Sequence, residues 1–506
     1  MNVAKSNTGL ILTGLLISLF VAALDQTVVS TAMGTIVADL GGIDKYVWVS
    51  SAYFIAELAG MPIYGKLSDM FGRKRFFVFG VFIFLLGSVL CGLVHNMVEL
   101  SIYRAIQGIG GGVVEPIVFT IAYSIIPDEK RGRIGGLFGS AFGLASILGP
   151  LLGSYLTEML GWRWIFYLNL IPGLISLGLV VFFYRETHTR SNQKIDWLGT
   201  FTLVGSLVCL SFALEMGGSE YEWTSPVIVT LFFMFVLLFC TFLYAEKKVP
   251  EPIISFRMFK NRLLSTCLLL AFIYGAAYIV VIVYMPLFVQ GVMGRPAINS
   301  GFILIPLLLS SILTSMTGST LIRKIGYRVT MLISGCVYAC GIFLLIRMTE
   351  DTTPLLSALY MIVIGIGVGF SFSVLSIGTN RSVDGAERGA ANSILTFLRA
   401  FGMTVGITVF GIIQKNLLTN QISKLLSDNE DAKGHLQNLN PEALLTPGGR
   451  SQIPDDLLRS MSGAFAYSLT HMFMWLFVPA ALILVFALRM NKEKQVANSR
   501  PYGQTD

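Results

Sequence analysis

The chain of 506 residues alternates between long, unbroken apolar runs and short polar connections. Each run holds about 20 residues, the length that a helix needs to cross the hydrocarbon core of a bilayer. Because the runs are continuous rather than alternating, they predict helices and not the strands of a barrel. The fourteen predicted spans are residues 10–32, 46–65, 76–94, 98–122, 134–158, 164–183, 197–215, 226–245, 263–285, 298–321, 329–347, 354–376, 389–413 and 465–488.

The composition agrees with a chain embedded in lipid. Hydrophobic residues make up 54% of the sequence and charged residues only 13%, and the mean hydropathy is +0.72. A soluble protein with so few charges would expose too much apolar surface to stay dispersed. We therefore predict an all-α integral membrane protein.

Lysine and arginine set the predicted orientation. The even number of spans places both termini on one side, and most of the 36 Lys and Arg residues fall in the tails and loops of that side. By the positive-inside rule, both termini are cytoplasmic. Topology also explains the net charge of +7, so no nucleic-acid partner is expected. A polar segment at about 414–462 is predicted to be a long external loop.

One sequence pattern occurs twice, as YRAIQGIGGG from Tyr103 and as YMIVIGIGVG from Tyr360. A single offset places Gly108, Gly110, Gly112 and Gly149 on Gly365, Gly367, Gly369 and Gly406. A repeat of this length predicts two six-helix bundles around an inserted helix pair, which is typical of a large class of transporters. The predicted units are residues 1–190, 191–262 and 263–506, with the long external loop in the last unit.

The two halves differ in polarity. Arg104 and Glu115 of the first copy stand where the second copy has apolar side chains. Asp25 and Glu57 also belong to the N-terminal half, whereas the C-terminal half offers Arg399. We predict that the N-terminal half handles protons and that the C-terminal half supplies more of an apolar binding wall.

The charged side chains within the spans are the candidates for chemistry. Such a group costs about 2.5–3.5 kcal/mol near a helix centre, so it usually faces a cavity or another polar group. We predict that Asp25, Arg104, Glu57 and Glu115 couple transport to protons, because a buried carboxyl group that meets an arginine in one state can load and release a proton. The alternatives are structural roles: a fixed charge pair for Arg104, a local hydroxyl partner for Asp25, and a proline kink beside Glu115.

The segment GKLSDMFGRKR, residues 65–75, resembles the cytoplasmic signature between helices two and three of the major facilitator superfamily. The matching positions are Gly65, Asp69, Gly72, Arg73 and Arg75. In that family the loop acts as a gate latch, and the resemblance implies the same role here. Positive-inside anchoring alone would explain the basic residues but not the aspartate and the glycines.

Three further segments resemble motifs of the fourteen-helix drug:proton antiporters of this superfamily. LDQTVVSTAM, residues 24–33, is similar to the first-helix motif, and Arg104, Gln107 and Gly108 match the fourth-helix motif. GSAFGLASILGPLLGS, residues 139–154, resembles the fifth-helix motif of exporters at Gly143, Gly149, Pro150 and Gly153. The resemblance implies an exporter that exchanges its substrate for protons.

On this basis we expect a multidrug efflux transporter of the plasma membrane that exports lipophilic, cationic drugs or toxic compounds by alternating access. The intramembrane acids outnumber the arginines, which favours cationic substrates. The predicted substrate contacts are Asp25, Glu57, Glu115, Tyr53, Phe119, Tyr274, Tyr278 and Phe397. Two alternatives stay open: an exporter of a single antibiotic or metabolite, and a membrane sensor with a transporter fold.

No enzyme activity is predicted, because the sequence contains no evident nucleophile–base pair or phosphate-binding loop. The six cysteines lack metal-ligand spacing, so no metal is expected. We also expect no cofactor, with the proton gradient as the energy source. The expected partners are a small lipophilic substrate, protons and the lipid bilayer, for a chain that functions as a monomer.

Overall fold

The computed structural model describes residues 8–41, 46–126, 131–186, 196–218, 221–249, 260–295, 297–384, 387–428 and 455–490, which are almost entirely helical. The helices are α1 (Thr8–Leu40), α2 (Tyr46–Phe71), α3 (Arg73–Gly92), α4 (Met97–Ile125), α5 (Arg131–Met159), α6 (Trp164–Tyr167), α7 (Leu170–Phe183), α8 (Trp197–Met216), α9 (Pro226–Glu246), α10 (Arg262–Gly291), α11 (Ala297–Ile346), α12 (Pro354–Arg381), α13 (Arg388–Asp428), α14 (Asp455–Trp475) and α15 (Phe477–Ala487).

These helices form the fourteen spans that the apolar runs predict. Helices α6 and α7 together make the sixth span, and α14 and α15 make the last one. Helix α11 contains two spans that meet at Gly326, whose φ of 84° lies in the left-handed region that favours glycine. The predicted all-α fold is confirmed.

The two six-helix halves have separate cores. Helices α1–α7 enclose a core around Phe77 and Val113, and helices α10–α15 enclose one around Phe288 and Phe473. The halves meet where α2 packs against α13 and where α5 packs against α11. The inserted helices α8 and α9 cover one of these seams, because their side chains share an apolar cluster with residues of α2 and α13.

The repeated glycines make equivalent contacts in both halves. A Cβ atom at Gly108 would collide with the carbonyl oxygen of Tyr53 on α2, and one at Gly365 would collide with the carbonyl oxygen of Leu307 on α11. The missing side chains therefore bring each pair of helices into backbone contact. The pseudo-symmetry predicted from the sequence is thus visible in the packing.

Helices extend into the predicted external loop, about 414–462, from both sides. Helix α13 is 41 residues long and continues to Asp428, and α14 already begins at Asp455. At about 1.5 Å per residue, such a helix exceeds the roughly 30 Å hydrocarbon core about twofold. The end of an apolar run marks the membrane boundary, whereas a helix ends only where its backbone hydrogen bonds end. The intervening residues 429–454 lie outside the described chain.

Candidate functional site

Asp25 and Arg104 form an ion pair inside the N-terminal half, between α1 and α4. Both residues are 1% exposed. The guanidinium Nη1 donates to Asp25 Oδ2 and also to Gln107 Oε1 at 2.6 Å. The carboxylate that pairs with Arg104 is therefore that of Asp25. The partner of Asp25 is a charged side chain from another helix and not a local hydroxyl group.

The second carboxylate oxygen of Asp25 accepts two amide donors. Gln107 Nε2 lies 2.9 Å and Asn169 Nδ2 lies 2.7 Å from Asp25 Oδ1. Both amides also donate to Ser88 Oγ, at 2.7 Å and 3.2 Å. We call these five residues, Asp25, Ser88, Arg104, Gln107 and Asn169, the Asp25 cluster. Its donors supply hydrogen-bond partners to both oxygens of the carboxylate.

Sequence reasoning missed Ser88 and Asn169 as members of this cluster. Ser88 lies within α3, and Asn169 lies at the junction of α6 and α7. Each is a polar residue in an otherwise apolar span, which is the only signal that the sequence carries for them. A single hydroxyl or amide costs less at membrane depth than a charge, so such residues draw less notice.

Glycines on α4 place Arg104 against α2. Because Gly108 and Gly111 lack side chains, Tyr53 approaches α4 closely. The Arg104 guanidinium carbon then lies 4.3 Å from the centre of the Tyr53 ring, and Nε donates to the carbonyl oxygen of Val49 at 3.4 Å. Tyr53, which we predict to line the substrate site, thus supports the arginine in this conformation.

Glu57 has different surroundings from Asp25. Within the described part of the chain, its carboxylate accepts only long bonds from Gln26 Nε2, at 3.3 Å and 3.5 Å. Among the residues that the structure describes, no lysine or arginine forms an ion pair with it. The residue is nevertheless only 7% exposed. Glu57 is therefore a buried carboxyl group without a contacting counter-ion.

Glu115 faces the other half of the molecule. Its charge interacts with that of Arg399 on α13 rather than pairing with Arg104. The Arg399 guanidinium carbon lies 5.1 Å from the centre of the Phe372 ring. Glu115 and Arg399 are both partly exposed, in contrast to the Asp25 cluster. These two groups therefore face each other across the seam between the halves.

The predicted aromatic substrate contacts other than Tyr53 divide into two groups. Phe119 packs edge-on against Phe138 inside the N-terminal half, with ring centres 4.8 Å apart. Tyr274 is hydrogen-bonded to Ser334 at 2.6 Å, inside the C-terminal half.

The second group of aromatic residues, Tyr278 and Phe397, lies nearer the seam between the halves. Tyr278 contacts Phe372 edge-on, with ring centres 6.0 Å apart, beneath Arg399. Phe397 stacks on Phe401 at 5.9 Å and joins the apolar cluster between α2 and α13. Tyr278 and Phe397 are thus the better placed of the predicted substrate contacts.

The predicted gating segment joins the halves at the end of α2. Asp69 Oδ1 pairs with Arg73 Nη2 at 2.9 Å, and Asp69 Oδ2 accepts the backbone N–H of Ala390 at 3.0 Å. Ala390 lies in the first turn of α13, where free N–H groups favour an anion. Gly65 allows α2 to approach Ser393, which also lies on α13. Asp69 therefore connects the two halves in this conformation.

Gly72 and Arg73 hold the gating segment to the N-terminal half. Gly72 adopts a φ of 107°, which favours glycine. The backbone N–H of Arg73 donates to Glu186 Oε1 at 2.5 Å. Arg75 is exposed.

The predicted exporter motif on α5 supplies two close contacts. A Cβ atom at Gly149 would collide with Thr27 Oγ1 on α1, and Gly153 likewise faces α1 at Thr31. Gly143 faces Leu308 on α11, so the opposite side of the motif meets the C-terminal half. The side chain of Pro150 lies outside the described residues. The motif therefore fixes α1, which carries Asp25, next to the seam.

Two pseudo-symmetric six-helix halves with buried charges between and within them are the architecture of a membrane transporter. The chain belongs to the Major Facilitator Superfamily, whose family model matches residues 15–407. This membership confirms the resemblance and makes the chain a multi-pass membrane transporter of small molecules rather than an enzyme.

Several known proteins are similar to this chain over most of its length. It is 46% identical over 493 residues to "Multidrug resistance protein 3" of Bacillus subtilis (strain 168), covering 97% of this chain and 96% of that protein. It is 36% identical over 469 residues to "Multidrug transporter protein MdtP" of the same organism, covering 89% and 86%. The crystal structure of the human organic anion transporter MFSD10 shares the fold, with a TM-score of 0.62, 13% identity and coverage of 95% and 100%.

Proposed function

We propose that this protein is a proton-driven exporter of lipophilic, cationic compounds across the plasma membrane, with both termini in the cytoplasm. Multidrug transporters among its relatives support drug efflux. The Asp25 cluster supports proton coupling, and it is the observation that carries the proposal. The chain works as a monomer, takes its energy from the proton gradient and needs no cofactor.

Asp25 is the proposed proton carrier. In the conformation described, Arg104, Gln107 and Asn169 all donate hydrogen bonds to its carboxylate. Two unit charges about 4 Å apart attract by about 4 kcal/mol at an effective dielectric constant of about 20. Protonation of Asp25 removes that attraction, so Arg104 is released and α1 and α4 are free to shift. When the arginine returns, it expels the proton.

Glu57 is the proposed contact for a cationic substrate. The charges of Asp25 and Arg104 cancel, and Glu115 interacts with Arg399. Glu57 has no such cation within contact among the described residues. Because a buried carboxylate without a counter-ion is costly, a bound cation or a proton would stabilise it.

Alternating access requires the halves to separate at the seam. The bond from Ala390 to Asp69 and the contact between Gly65 and Ser393 close one end of the molecule. We propose that this end is cytoplasmic and that these contacts break when the transporter opens inward. The gating residues Gly65, Asp69, Gly72, Arg73 and Arg75 thereby act as the latch.

The test of coupling is the variant D25N in proteoliposomes. With an acidic lumen, the wild-type protein should accumulate a cationic dye, and a protonophore should abolish the accumulation. The variant D25N should remain folded and inserted but should lose gradient-driven accumulation. D39N is the matched control, because Asp39 lies on the same helix at an exposed position. Undiminished dye accumulation by D25N would contradict the proposal.

Breadth of specificity needs a separate measurement. Cells that produce the protein should resist several unrelated lipophilic cations. Protection against one compound alone would favour a narrow exporter. A protein that moves no dye in either direction under a pH gradient would favour a sensor.

A further inference from the structure

Arg399 is the charged residue that proton coupling leaves unexplained. It lies on α13 in the C-terminal half, with its guanidinium over the Phe372 ring at 5.1 Å. Its Nε is a buried nitrogen without a hydrogen-bond partner in the part of the chain that the structure describes. The residue as a whole is half-buried.

The partner across the seam does not satisfy this guanidinium. Glu115 interacts with Arg399 through space, but no hydrogen bond joins their described atoms. An arginine at membrane depth is costly unless its donors are paired. Its planar fork of N–H donors matches a carboxylate in two parallel bonds. An anionic group at the seam would therefore supply the hydrogen-bond partners that Arg399 lacks in the described part of the chain.

Acidic and basic groups stand on opposite sides of the seam. Glu57 and Glu115 belong to the N-terminal half, and their charges interact with each other. Arg399 belongs to the C-terminal half, beside Phe372 and Tyr278, whose rings are 6.0 Å apart. A flat aromatic substrate between the halves would meet acids at one end and a guanidinium at the other.

We propose that Arg399 binds the carboxylate of zwitterionic aromatic substrates, so that the exporter takes zwitterions as well as cations. The cationic end of such a substrate faces Glu57 and Glu115, and the carboxylate displaces the long-range interaction of Arg399 with Glu115. This inference rests on the proposed function and adds a substrate class to it. Arg399 acts here as a specificity-determining residue.

Two dyes that differ in one group provide the test. Tetramethylrhodamine carries a free carboxylate and is a zwitterion, and its methyl ester is a cation of nearly the same shape. Full-length protein in proteoliposomes receives an imposed pH gradient, with the membrane potential clamped. The readout is the ratio of the initial uptake rates of acid and ester, because the ratio cancels differences in the amount of active protein.

In R399Q this ratio should fall about tenfold or more, the loss expected for one charge-assisted, bidentate contact. R399K keeps the charge but lacks the fork, so it should give an intermediate ratio. R347Q is the matched control, because Arg347 also lies over a phenylalanine ring, at 5.2 Å, but at an exposed helix end. The ratio of the control should equal that of the wild type.

Three results would overturn the inference. If the wild-type protein transports the ester but not the acid, the proposed function stands and the role of Arg399 does not. The same holds if R399Q and R399K both keep the wild-type ratio. If neither dye responds to the gradient, the proposed function itself fails, and the inference fails with it.

Discussion

Asn169 should be needed for proton-driven transport, although it carries no charge. Its amide donates to Asp25 Oδ1 at 2.7 Å, and the variant N169A removes that bond. A hydrogen bond to a charged group contributes about 1.5–3 kcal/mol. Since about 1.4 kcal/mol is a factor of ten in an equilibrium constant, the loss should weaken the closed arrangement of the Asp25 cluster about tenfold or more. Gradient-driven uptake should fall accordingly.

The assay is the initial rate of dye uptake into proteoliposomes at a fixed pH difference. The rate of N169A, per amount of folded protein, should fall about tenfold or more. N380A is the control, because Asn380 and Asn169 are both 1% exposed. Asn380 instead exchanges hydrogen bonds of 3.0 Å and 3.1 Å with Asn392 in the C-terminal half.

Both asparagine variants should lose some stability, since each leaves buried polar partners unpaired. Only N169A should lower the rate of gradient-driven uptake. A rate of N169A equal to that of the wild type would refute the reasoning. An equal loss in N380A would refute it as well, because the effect would then be a general consequence of lost stability.

Two further predictions concern packing and the latch. G108A should destabilise the protein by about 1–3 kcal/mol, because the added methyl group meets the backbone of α2; G178A, which meets nothing within 4 Å, is the control, and thermal unfolding in detergent is the measurement. Equal melting temperatures for the two variants would contradict the packing argument. D69N should loosen the seam, so a cysteine at Ser393 in a cysteine-free background should react several-fold faster with a membrane-impermeant maleimide. An unchanged labelling rate would show that Asp69 does not hold the seam closed.

The fold follows from the sequence because the bilayer leaves few choices. Backbone groups in lipid must bond within their own helix, so apolar runs translate directly into spans. The repeated glycines were equally informative, since Gly108 and Gly365 have no side chain where a neighbouring backbone must come close. Asp25 and Arg104 stood out for the same physical reason, because a charge in a membrane span needs a partner.

The partners of those charges were less predictable. Arg104 and Glu115 lie on one face of α4, but one pairs with α1 and the other faces α13. Which neighbour a side chain meets depends on how seven helices pack, and no periodicity along one helix contains that information. Asn169 shows this most clearly, because its amide reaches Asp25 from a helix junction far along the chain.

The contrast between Asp25 and Glu57 offers a physical basis for exchange. Two acids whose surroundings differ tend to have different roles. Asp25 is saturated by an arginine and two amides, so a proton competes there with protein groups. Glu57 accepts only long bonds from Gln26, so a proton competes there with whatever cation enters. In the proposed cycle either a cationic substrate or a proton neutralises the Glu57 carboxylate, so binding of one excludes binding of the other. One ligand then replaces the other at each turn, which is the requirement for an antiporter.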